Sequence, residues 1–121
     1  MITGVHALLY STEPDQLRTF FRDVLQLSSV DAGGGWPIFA LPPAELGVHP
    51  SEDANLPELY LMCDDVHKTV QELQSRGAIF VRPVADQGFG LVTAIRLPGG
   101  GELGLYQPRH PLAIELHAGR A

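Results

Sequence analysis

The residues best suited to chemistry stand in two matched pentapeptides. Glu45-Leu46-Gly47-Val48-His49 returns near the far end of the chain as Glu102-Leu103-Gly104-Leu105-Tyr106. Each copy places a carboxylate, a glycine and a polar ring at alternate positions, and alternate positions of a β-strand share one face. That face can offer a small molecule directed hydrogen bonds and aromatic stacking. The residues between (Leu46, Val48, Leu103 and Leu105) are wholly apolar and suit a core against helices. A repeat of this kind suggests one structural unit built twice, whose two copies can enclose a pocket.

The elements that must position these residues repeat in the same order. Residues 4–10 form an apolar run rich in strand formers, and Ser11-Thr12-Glu13-Pro14 reads as a helix start with an early proline. Leu17, Phe20, Phe21, Val24 and Leu25 then recur at helical spacing. In the second half, residues 58–63 are a short apolar run, Asp64-Asp65 can cap the helix after it, and Val66, Val70 and Leu73 form its stripe. Gly77 sits where a helix-ending glycine belongs. Further strands are expected near 27–30, 36–41 and 44–49, and again near 79–84, 91–97 and 102–107, with glycine- and proline-rich turns between them. The reading is an α+β chain of two tandem βαβββ modules. Module 1 covers about 4–50, a linker 50–57, module 2 about 58–108, and a tail 109–121.

Composition narrows the function. A chain of 121 residues is one domain with room for a real core. Its net charge of −6 and its single lysine, Lys68, argue against a phosphate-backbone binder, so nucleic acid is excluded as a partner. No apolar run reaches the roughly 18 residues of a membrane span. The first residues lack a charged segment followed by an apolar one, so no secretory signal is expected. Cys63 is the only cysteine, which rules out an internal disulfide and fits a reducing, cytoplasmic setting. With no basic neighbour in sequence, it is not a nucleophile candidate.

This chain resembles the vicinal oxygen chelate superfamily, which includes glyoxalase I, extradiol dioxygenases, and fosfomycin and bleomycin resistance proteins. The resemblance runs from Gly4 to Pro108 and rests on three pieces. They are the opening strand with His6, the Phe20-Phe21-Arg22-Asp23-Val24-Leu25-Gln26-Leu27 segment, and the Pro98-Gly99-Gly100-Gly101-Glu102-Leu103 ending. It implies a cup-shaped mixed sheet with helices on its outer face. In metal-dependent members, ligands come from the first and last strands of each module. Carried over, those positions fall on His6, Gly47, Glu58 and Gly104. Two glycines offer no side chain, so the resemblance implies a metal site that is incomplete here, and no cofactor is expected. A register slip of two would bring in Glu45 and Glu102, or His49 and Tyr106, and with them a divalent metal.

Two functions are consistent with these residues. The first is a metal-free small-molecule-binding protein of the glyoxalase and bleomycin-resistance type, acting as a homodimer. Its pocket would draw on His6, Tyr10, Trp36, His49, Glu58, Tyr60, Met62, Phe89 and Tyr106. The second is a divergent metal-dependent lyase or dioxygenase using His6, Glu58 and either His49 or Glu102. Bland alternatives stand beside each candidate: His6 as a cavity-lining histidine, His49 at a strand end, the tyrosines as packing aromatics. His67, His110 and His117 are expected to be exposed.

Overall fold

A computed structural model of the chain describes residues 6–47 and 58–114. The second half forms the main body. Strand β3 (Tyr60–Met62) leads into helix α2 (Val66–Ser75), followed by β4 (Ala85–Asp86), β5 (Gly90–Arg96) and β6 (Glu102–Pro108). The four strands make one sheet in the order β3-β6-β5-β4, with β3 parallel to β6 and the other pairs antiparallel. A parallel pair needs a crossover, and α2 supplies it.

Helix α2 has the ends its sequence announces. The Asp65 side chain accepts from the Lys68 backbone N–H at 3.1 Å, satisfying one of the orphan donors of the first turn. At the other end Gly77 adopts φ +97°, and the Gly77 and Ala78 N–H groups donate to the carbonyls of Gln74 and Leu73. These paired bonds close the helix, and only glycine takes that φ without strain. Val66 and Leu73 are buried against Ile95, Leu103 and Leu105, which form the centre of the core.

The first half is sparser. Helix α1 (Pro14–Thr19) runs into a π-helical turn (Phe20–Val24), and Leu17 and Phe20 join the same core. The expected apolar stripe is therefore present, with Phe21, Val24 and Leu25 packed at the core margin. Glu13 is the N-cap residue of α1. Ser11 accepts from the Glu13 N–H and donates to the Pro98 carbonyl, while Thr12 donates to Gly99. The glycine turn after β5 thus clasps the entry to α1. Strands β1 (Ser29–Asp31) and β2 (Pro37–Phe39) form a two-stranded antiparallel sheet closed by Gly33-Gly34-Gly35, all at positive φ.

Three strand expectations need correction. Residues 6–10 carry no strand, and Leu8, Leu9 and Tyr10 are exposed, since the backbone there has no paired neighbour. Residues 44–47 are likewise irregular, and Leu46 is 90 % exposed instead of in the core, because no helix among the described residues lies over it; Val48 and His49 fall outside the described residues. Around 79–84 only the Phe80–Ile95 bridge forms, and β4 begins after Pro83 and Val84. Proline lacks the N–H a ladder requires. Among the described residues no helix is long and apolar enough to cross a membrane.

Candidate ligand-binding site

The register of β6 sorts its residues onto two faces. Leu103 and Leu105 are 1 % and 2 % exposed and face α2. On the opposite face, Gly104 stands beside Tyr60 and Ala94, and Tyr106 beside Met62 and Val92. Expecting Tyr60, Met62 and Tyr106 on one face with Gly104 follows from the two-residue period of a strand, and this is the face they share.

Three rings meet there. Tyr60 and Tyr106 lie edge to face with centroids 5.8 Å apart, and Phe89 meets Tyr106 in the same manner at 5.7 Å. This is the preferred geometry for aromatic pairs. Two glycines make the arrangement possible. A Cβ on Gly104 would collide with the Tyr60 ring, and one on Gly90 would come within 2.9 Å of the Tyr106 ring. Neither glycine has a positive φ, so close approach, not backbone conformation, is what each supplies. Each tyrosine ring lies across the bare backbone of a neighbouring strand.

Polar groups border the rings. The Tyr60 hydroxyl donates to Glu58 Oε2 at 3.0 Å, and this bond to the carboxylate is the main reason its pKa is raised. Burial lifts the Tyr106 pKa, with the Glu45 charge adding to it. A groove of about 410 Å³ opens beside Tyr60, lined by Glu58, Gly104, Leu9, Leu97 and the ion-paired Arg82 and Glu102, whose closest atoms are 2.6 Å apart. Another open groove, about 400 Å³ between α2 and residues 80–84, contains none of the expected site residues.

The tail closes the far end of the aromatic cluster. Arg109 pairs with Asp86 at 2.6 Å, and its N–H donates to the Phe89 carbonyl. His110, expected to be exposed, is half-buried, with Nε2 3.1 Å from the Tyr106 hydroxyl and Nδ1 2.8 Å from the Pro111 carbonyl. Glu45 accepts from the N–H groups of Ala113 and Ile114. The only cue to His110 in sequence is its position four residues after Tyr106; nothing in the tail's composition points inward.

Other candidates lie apart from the cluster. His6 and Tyr10 are exposed on the irregular first segment, Tyr10 at 90 %. Trp36 sits on the β1–β2 hairpin with the Arg18 guanidinium 4.9 Å from its ring centroid, a cation–π contact. His49 lies outside the described residues. His67 is exposed on α2, as expected. Cys63 is half-buried, and burial pushes its thiol pKa up, the opposite of what a nucleophile requires.

Position 104, one of the carried-over metal positions, offers no ligand. The ring of Tyr60 occupies the space a ligating side chain at position 104 would need. Among the described residues no three His, Cys, Asp or Glu side chains are grouped to hold a metal ion.

No known family model and no curated protein matches the sequence. Solved structures do match. An antibiotic binding protein from Streptomyces sp. CB03234, TnmS3, superposes with a TM-score of 0.65 at 21 % identity, over 88 % of this chain and 97 % of its own. A lactoylglutathione lyase from Agrobacterium tumefaciens gives 0.61 at 15 % identity, over 87 % and 92 %. A Sphaerobacter thermophilus member of the glyoxalase/bleomycin resistance protein/dioxygenase superfamily gives 0.59 at 22 % identity, over 88 % and 98 %. With these neighbours and its own βαβββ half, the chain has the vicinal oxygen chelate fold of the glyoxalase, bleomycin resistance and dioxygenase proteins.

Proposed function

We propose that this protein binds a small, partly apolar molecule on the open face of the β3-β6-β5 sheet, and does so without a glyoxalase-type metal. The observation that carries this reading is the ring cluster of Tyr60, Tyr106 and Phe89. Tyr60 and Phe89 remain 42 % and 47 % exposed, although rings packed for stability alone are normally covered. Flat apolar walls beside a few directed polar groups are the usual composition of a ligand site. The match to an antibiotic binding protein agrees with this chemistry. The active unit in this reading is a homodimer in a reducing cytoplasm. Exposed Leu8, Tyr10, Val30 and Leu46, with β3 at an open sheet edge, favour pairing with a second copy.

Elemental analysis after native purification separates this reading from a metal-dependent lyase or dioxygenase built on His6, Glu58 and His49 or Glu102. The binding reading expects substoichiometric metal. Near one transition metal per chain, lost in His6→Ala, overturns it. Sedimentation should return a dimer mass at tens of micromolar, and a monomer would remove the pairing.

A further inference from the structure

The hydrogen-bond directions around the ring cluster specify what kind of ligand it accepts. A carbonyl oxygen can only accept, so the bond from His110 to Pro111 places the ring proton on Nδ1. In the singly protonated ring Nε2 is then an acceptor, and the Tyr106 hydroxyl donates to it. The Tyr60 hydroxyl is likewise committed as a donor, to Glu58. Both phenol protons are therefore used inside the protein. What the two hydroxyls still present outward is oxygen lone pairs.

The charges point the same way. Arg82 brings a positive charge to the Tyr60 end of the face but is held there by Glu102, and Arg109 is held by Asp86. Arg96 lies opposite Glu102 at the end of the strand pair remote from Tyr106. Glu58 and Glu45, the carboxylates that act on Tyr60 and Tyr106, have no basic partner among the described residues. The face around the rings is thus rich in acceptors, poor in free donors, and negative.

From this we infer that the site selects an aromatic cation: a flat ring system carrying a protonated nitrogen or edge N–H donors, stacked on Tyr60 and Tyr106 with its charge toward Glu58. The inference rests on the binding reading above and narrows it to one ligand chemistry. A cation gains from the ring faces as well as from the carboxylate, whereas an anion of the same shape meets lone pairs and a like charge.

Three probes of matched ring size test it by fluorescence anisotropy at low salt: 9-aminoacridine (cationic), 9-anthracenemethanol (neutral) and anthracene-9-carboxylate (anionic). The cation should bind about three- to tenfold more tightly than the anion, as befits one partly screened charge contact, with the neutral probe between them. Glu58→Gln, at an exposed position, should erase most of that preference. Equal binding of all three, or a preference that survives Glu58→Gln, overturns the aromatic-cation inference while leaving the binding surface standing. Failure of every probe to bind overturns both.

Discussion

The two faces of the β3-β6-β5 sheet carry large side chains with opposite fates. Facing α2, Ile95, Leu103 and Leu105 are almost fully buried, and Thr93, the one buried polar side chain among the described residues, donates to the Arg82 carbonyl at 2.8 Å. On the other face, Tyr60, Tyr106 and Phe89 pack on one another yet stay partly open to solvent. The first face is satisfied within the chain. The second has the area, stacking geometry and polar groups of a contact surface with nothing of the described chain fully covering it. In the binding reading, stability and recognition are thus separated by the two-residue period of one strand.

Breaking the inner face should have the largest effect. Leu103→Ala removes a side chain from the centre of the core and should destabilise the fold by about 2–5 kcal/mol, read by urea denaturation. An effect below 1 kcal/mol would mean that β6 is in another register. Gly104→Ala should cost less, about 1–3 kcal/mol, because the added Cβ displaces the half-exposed Tyr60 ring, not a core side chain. The same variant should weaken the Tyr60–Glu58 bond, which a plain packing defect elsewhere would not do.

How much of this was legible in sequence depends on where each residue's partners lie. Helix α2 could be read closely because its signals are local: Asp65 caps within one turn, and Gly77 ends the helix beside it. The face assignment of Leu103, Leu105 and Tyr106 followed from strand alternation within one element. Residues 6–10 and 44–47 misled, because an apolar or alternating segment becomes a strand only if another backbone pairs with it, and pairing is not a local property. The fit of Tyr60 over Gly104 and of Tyr106 over Gly90 was illegible for the same reason. Sequence showed Gly104 only as a missing ligand, whereas it is the floor beneath a ring. His110 was misplaced because its partner is a hydroxyl reached through the turn of the tail.

A smaller effect sharpens the polar edge of the open face. Because Glu58 accepts its proton, Tyr60 should ionise above the ordinary tyrosine value near 10. A tyrosine whose folded pKa is raised contributes stability that is fully present below about pH 10 and lost as pH rises through the folded value. Glu58→Gln removes the carboxylate charge and should bring the Tyr60 titration, followed by ultraviolet difference absorbance, back toward the ordinary value. An unchanged titration would show that the bond does not persist in solution. The smallest expected change is at the helix start. Asp65→Ala should cost about 1 kcal/mol through loss of the cap, with probe affinity unaltered.

The central claim, that the ring face is for binding and the leucine face for folding, meets its most direct test in Tyr106→Ala. Isothermal titration with 9-anthracenemethanol and urea denaturation should be run on this variant and the wild type together. The account predicts that binding weakens by about 1–3 kcal/mol, the scale of a buried ring's contact area, while stability falls by less than it does for Leu103→Ala. Wild-type affinity in Tyr106→Ala, or a loss of stability equal to that of Leu103→Ala, would contradict it.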